Sequence, residues 1–293
     1  MPKPFASTLS VAGFRAVRSA GFRPLRQVQG SSVYHVGWRR LPQRKMRRGL
    51  QPQRVEAGQI LGTTQYFPRG WDTAARSLSE GMWTELEQQT AAFNEARRLA
   101  LERLRDAARE AGAVAVVDLH IRRGRFGHVR RGIQFSALGT AIGADRHVLD
   151  DGQMLPLTNL SGAEFWKLVS AGQWPLGVVG GTSVLYIVSG YRTRWARTRF
   201  APRSRRNQEY IDYTDGLNHA RRLALAHVRK EARDVGAAGI LALQLDLERH
   251  DPGLFAGERT DLVVAVHALG TAIAPIEQGS QKEMYYALDL GGR

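Results

Sequence analysis

At 293 residues the chain is long enough for two domains of ordinary size, each able to bury its own core. Hydrophobic residues at 43% and charged residues at 24% give the balance of a soluble globular protein, and the lack of cysteine excludes disulfides, thiolate nucleophiles and Cys-ligated zinc or iron–sulfur centres. The formal charge of +15 comes mainly from arginine, which favours polyanionic partners over basic ones.

The opening stretch "MPKPFASTLSVAGFRAV" has no uninterrupted apolar core and no clear cleavage site, so no signal peptide is expected and a cytoplasmic location is. Ser10 is placed to cap a short helix that stops at Gly21, and a β segment follows up to residue 37. Next comes the basic stretch "GWRRLPQRKMRRG" (37–49), inside a long middle segment of roughly 38–93. A long helix carries "NEARRLALERLRDAAREAG" from Asn94, with Ala96, Ala100, Leu104 and Ala108 on one face. Gly112 ends it in the left-handed conformation that glycine adopts most cheaply. The strands "AVAVVDLHIR" (113–122) and "RGIQFSALGTAI" (131–142) then pair as a hairpin.

The same order begins again at Leu160. Ser10, Phe14, Ser19, Ala20, Gly21, Pro24 and Leu25 recur as Ser161, Phe165, Ser170, Ala171, Gly172, Pro175 and Leu176. A second basic stretch, "GYRTRWARTRFAPRSRR" (190–206), precedes "NHARRLALAHVRKEARDVG" from Asn218, whose apolar face is Ala220, Ala224, Val228 and Ala232 before Gly236. The strands "AAGILALQLDLER" (237–249) and "TDLVVAVHALGTAI" (260–273) close the copy, and "ALGTAI" at 268–273 repeats 137–142. Two copies with unequal insertions describe a duplicated domain, not a solenoid. The predicted boundaries are 1–150 and 151–293, the second copy having the longer hairpin tip and a C-terminal tail.

This order, with Ala96-Arg97, Ala100, Gly112-Ala113, Val116-Val117, Gly139-Thr140-Ala141 and Gly30-Ser31, resembles the YbjQ family, described as heavy-metal-binding proteins. The second copy matches at Ala220-Arg221, Ala224, Gly236-Ala237, Ile240-Leu241, Gly270-Thr271-Ala272 and Gly181-Thr182. The segment "ILGTTQYF…RGWDTAARSLSEGMWTELEQ" (60–88) is similar to the family's stretch before its long helix, and the second copy lacks it. The resemblance implies an α+β fold of two tandem βαββ, dodecin-like domains, each with an extra N-terminal short helix, and assembly into pentameric rings. Two different domains cannot alternate around a five-domain ring. A homopentamer with two stacked rings is therefore the expected assembly.

Three binding or catalytic chemistries were weighed against the residues. For a divalent transition metal such as zinc or nickel, the best set is Asp246, Glu248, His250 and His267, which strand alternation puts on one side of a sheet. Alternation alone produces a solvent-facing polar side of this kind, which is the ordinary explanation. The first copy offers Asp118, His120 and His128, but no histidine recurs at a matching position of the two sheets. His219 and His227 lie eight residues apart on a helix, about 12 Å, too far for one ion. His35 stands alone on its strand. For a polyanion or nucleic acid, the candidates are Arg39, Arg40, Arg44, Arg47 and Arg48, with Arg192, Arg194, Arg197 and Arg199, interleaved with aromatic residues. For catalysis there is no Gly-x-Ser-x-Gly elbow, no His-Glu-x-x-His pair and no phosphate loop, so no enzyme is expected. The reading is a non-enzymatic, ring-forming scaffold or binding protein, with polyanion binding as the alternative.

Overall fold

The computed structural model describes residues 6–36, 53–54, 66–67, 82–126, 132–144, 154–188, 209–250 and 261–276. Both basic stretches, with their nine candidate arginines, lie outside the described residues, as do His128 and the side chain of His250.

In chain order the elements are α1 (Val11–Ser19), β1 (Phe22–His35), a ribbon of β2 (Gln53–Arg54) and β3 (Tyr66–Phe67), β4 (Met82–Glu85), α2 (Glu87–Glu110), β5 (Ala115–Phe126) and β6 (Gly132–Ala144). The second half continues with α3 (Gly162–Ser170), β7 (Gln173–Val188), α4 (Ile211–Asp234), β8 (Gly239–His250) and β9 (Leu262–Pro275). The fold is α+β, built on two antiparallel sheets of the same internal order, β1-β6-β5 and β7-β9-β8. The second sheet has a fourth strand, because β4 from the first half adds beside β7.

Local chemistry explains the repeated elements. Ser10 caps α1 by accepting a bond from the Gly13 amide at 3.1 Å, and Ser161 caps α3 in a capping box with Glu164. The long helices end where Gly112 (φ 68°) and Gly236 (φ 71°) take left-handed conformations. Both begin ahead of their repeated Asn motifs, at Glu87 and Ile211, without a side-chain cap.

Each long helix lies close against its own sheet because the contact is made of small groups. A Cβ at Gly30 would collide with the α2 backbone at Ala100 and Leu104, and one at Gly181 with α4 at Ala224 and His227. The opposed helix faces, Ala96, Ala100, Leu104 and Ala108 in one copy and Ala220, Ala224, Val228 and Ala232 in the other, are buried. Burial of Leu104 or Val228 contributes on the order of 2 kcal/mol each.

The third strand of each sheet breaks its register at the same place. Asp118 (φ 56°) and Ala242 (φ 48°) sit in bulges, where the pairing of β5 jumps between Val117 and His120 and that of β8 between Leu241 and Gln244. Among the described residues no helix is long and apolar enough to cross a membrane.

Candidate functional site: the junction between the two copies

The two halves are not separate beads. α2 covers its own sheet with one face and the second sheet with another, so that Phe93, Ala96 and Ala100 share a core with Val184, Tyr186, Val263 and Ala265. Farther along, Leu101 and Leu104 share a core with Val178 and Leu269. The layers therefore run first sheet, α2, second sheet, α4.

Polar groups fix this junction. The Asn94 side chain accepts from the Thr182 amide at 3.0 Å and donates to the Thr182 carbonyl at 3.4 Å, so it reads the β7 backbone at both of its groups. Arg97 is buried and donates to Glu231 Oε2 at 3.1 Å, and Glu231 also accepts from the Gly180 amide at 2.6 Å. Burial pushes the Arg97 guanidinium below its usual pKa, opposed by the nearby Glu231 carboxylate. A Cβ at Gly180 would collide with this guanidinium, so a glycine is needed where the first copy has Gln29. Thr90 adds a bond from the Val184 amide to its hydroxyl at 3.0 Å.

The two copies also exchange chain at the sheet edges. The first copy lends β4 to β7, with Met82, Trp83, Thr84 and Glu85 opposite Val188, Ile187, Tyr186 and Leu185. In return, residues 154–160 of the second copy run along β5. The Val116 amide donates to the Pro156 carbonyl at 3.0 Å, the Thr158 amide to the Val116 carbonyl at 2.9 Å, the Asp118 amide to Leu160 at 2.8 Å and the Leu119 amide to Thr158 at 3.1 Å. Leu155 and Leu157 bury themselves in the first copy's core beside Val116 and Leu119. Helix α3 lies on α1, where Gly13 and Gly162 let the backbones meet.

On the polar strip of the second sheet, Gln244 and Asp246 are exposed, Glu248 is half-buried and His267 is buried. β9 and β8 do bring His267 opposite Asp246, as alternation predicts. Yet Asp246 accepts from Arg123 of β5 at 2.6 Å, and His267 is buried, its Nδ1 2.9 Å from the Thr182 hydroxyl and its ring against Phe93 and Phe135. The His267 Nε2 lies 3.8 Å from Glu248.

Of the four residues of this strip, the side chain of His250 lies outside the described residues. Among the described residues, no three His, Asp or Glu side chains converge where an ion could be held. In the first copy, Asp118 and His120 make a mutual contact at 3.3 Å on the exposed side of β5. His227 lies near Glu85 at 3.8 Å, and the His219 ring stacks at a tilt on Trp83. Burial and the neighbouring Arg222 push His219 below its usual pKa.

The residues that sequence reading missed are Asn94, Arg97, Thr182 and Glu231. Asn94 and Arg97 lay in plain view in the repeated Asn-x-Ala-Arg-Arg motif. Their signal was polarity at helix positions adjoining an apolar face on a segment copied twice.

Comparison with known proteins agrees with this architecture. Residues 57–145 match the YbjQ family model, described as "Putative heavy-metal-binding". The second half repeats the element order of the first. Over 276 residues the chain is also 27% identical to the encapsulin nanocompartment protein Rv1762c of Mycobacterium tuberculosis, a match spanning 92% of this chain and 88% of that relative.

Proposed function

We propose that the chain is a non-enzymatic scaffold or binding protein that assembles with copies of itself, serving as a component of a protein nanocompartment in the cytoplasm. One observation carries the assembly reading. A junction built from helix, sheet face and exchanged edges exists once inside the chain, and the outer ends carry the corresponding positions, with Gln29 standing where the internal junction uses Gly180. Helix α4 leaves Asn218 and Arg221 exposed and Leu217 and Leu225 half-buried where α2 uses Asn94, Arg97, Phe93 and Leu101. The outer face of the first sheet offers Gln29, Ser31 and Val33 where the second offers Gly180, Thr182 and Val184. Repetition of a head-to-tail contact yields rings or open filaments, and a ring of alternating copies holds an even number of domains whatever the number of chains. The nanocompartment role comes from the name of the mycobacterial relative.

Light scattering in moderate salt tests the reading. A mass of two or more whole multiples of 32.5 kDa supports it, five chains being the number expected from the family resemblance. A mass of one chain at every concentration overturns it.

A second reading, polyanion binding, is favoured by the net charge of +15. Replacing Arg39, Arg40, Arg44, Arg47 and Arg48 by neutral residues should then reduce nucleic-acid retention and flatten its salt dependence. Unchanged retention removes this reading.

A further inference from the structure

The two copies differ most where they should be most alike. In the first copy, Val117 and Leu119 on β5 are 0% and 3% exposed; their counterparts on β8, Leu241 and Leu243, are 40% and 45% exposed. The strands themselves are the same, with matching bulges at Asp118 and Ala242 and the same pairing to the hairpin partner that follows. The difference is the cover, which for Val117 also includes Phe165 and Val169 of α3. β5 is covered by residues 154–160, and β8 is the terminal strand of its sheet with no chain on its outer side among the described residues. A hydrophobic strand edge left open recruits another strand.

The covering segment has its own counterpart, and it too lacks its other half. Residues 6–9 lead into α1 as residues 157–160 lead into α3, ending in Leu9-Ser10 and Leu160-Ser161. Both are held to their own sheets in the same way. The Thr8 amide donates to Thr140 Oγ1 at 2.9 Å, and the Asn159 amide to Thr271 Oγ1 at 3.2 Å. The Ser7 hydroxyl lies 3.1 Å from Thr140 Oγ1, and that of Thr158 lies 2.9 Å from Thr271 Oγ1. Their backbones are thus presented alike. Leu155, Leu157 and Leu160 are buried under the first copy, whereas residues 6–9 are exposed or half-buried.

We infer that β8 receives residues 6–9 of a second copy of this chain, which add along its edge as residues 157–160 add along β5. The inference rests on the self-assembling reading above and gives it a specific contact. Asp118 and Leu119 set the pattern for the amides of Ala242 and Leu243, which donate to the incoming backbone, and the Val116 carbonyl that for Ile240, which accepts from Ser7, while Leu241 and Leu243 go under cover. At the opposite end β1 is the terminal strand of its sheet among the described residues, where β7 receives β4. The helices fit less closely than inside the chain. Gly13 and Gly162, which meet there, correspond to Glu164 and Val11 at the new contact. The strand edge therefore carries it.

The absence of native cysteine allows a direct test. Leu119 and Thr158, joined by a backbone bond at 3.1 Å, correspond to Leu243 and Ser7. A variant with both Ser7→Cys and Leu243→Cys, oxidised and run without reductant, should give a ladder of covalent multimers. Leu119→Cys with Thr158→Cys should close within one chain, and either single variant should yield nothing larger than a dimer. Leu243→Glu should weaken association at least tenfold with an unchanged far-ultraviolet spectrum. If the wild-type chain is multimeric, yet no ladder forms and Leu243→Glu keeps the full mass, the edge contact is wrong and the assembly reading stands. If the wild-type chain has the mass of one copy, both fall together.

Discussion

Helices α2 and α4 are copies of one sequence motif in two different surroundings. Toward its own sheet each presents alanines at the same spacing and meets a glycine of the first strand, so this contact is the domain's internal rule. On the adjoining face they part. Phe93, Asn94, Arg97 and Leu101 are engaged with the neighbouring copy, whereas Asn218 and Arg221 are exposed and Leu217 and Leu225 are half-buried against their own core. Duplication thus separates what folds a domain from what joins domains: the first is satisfied twice, the second once.

The largest effect expected from this contrast is at the third strands. Leu119→Glu puts a carboxylate into a closed core and should cost about 3–5 kcal/mol, enough to abolish cooperative unfolding near ambient temperature. The matched Leu243→Glu should change the stability of a single chain by less than about 1 kcal/mol. Equal losses in urea titration would mean that the edges are not different. The glycines under the helices provide the opposite check, since they obey the internal rule. Gly30→Val and Gly181→Val should each cost about 2–3 kcal/mol, because a side chain there forces a helix off its sheet. A large loss for one and none for the other would break the equivalence of the copies.

Much of this architecture is legible in the sequence, for a physical reason. Ser caps, Gly stops, the alanine face and the alternating strands are local signals, and each recurs, so the element order and the α+β class follow from the residues. The junction is not local. Nothing in "DLERH" says that Asp246 will meet Arg123 of the first copy, or that His267 opposite it will be buried against Phe93 and Phe135. β4 is equally opaque: a four-residue strand in the first half gains its meaning only from β7 in the second.

A smaller effect separates the repeated asparagines. Asn94→Ala removes two bonds to the Thr182 backbone and should cost about 1–2 kcal/mol in thermal unfolding, whereas Asn218→Ala should leave a single chain within about 0.5 kcal/mol of wild type. A cost for Asn218 that grows with protein concentration would show that its counterpart contact forms between chains. Smallest of all should be metal binding. Zinc or nickel titration is expected to give weak binding at most to the Asp246, Glu248, His250 and His267 strip, abolished in the His250→Ala, His267→Ala double variant. Tight stoichiometric binding that survives the double change would place the ligands elsewhere.

Hydrogen exchange at the two matched edges tests the central claim most directly. Amides of residues 116–119 are covered within the chain and should be protected at every concentration. Those of residues 240–243 should exchange quickly in dilute protein and become protected as concentration rises, in step with the mass seen by light scattering. If residues 240–243 exchange quickly at all concentrations, the second edge meets no partner and the chain is a closed pair of domains.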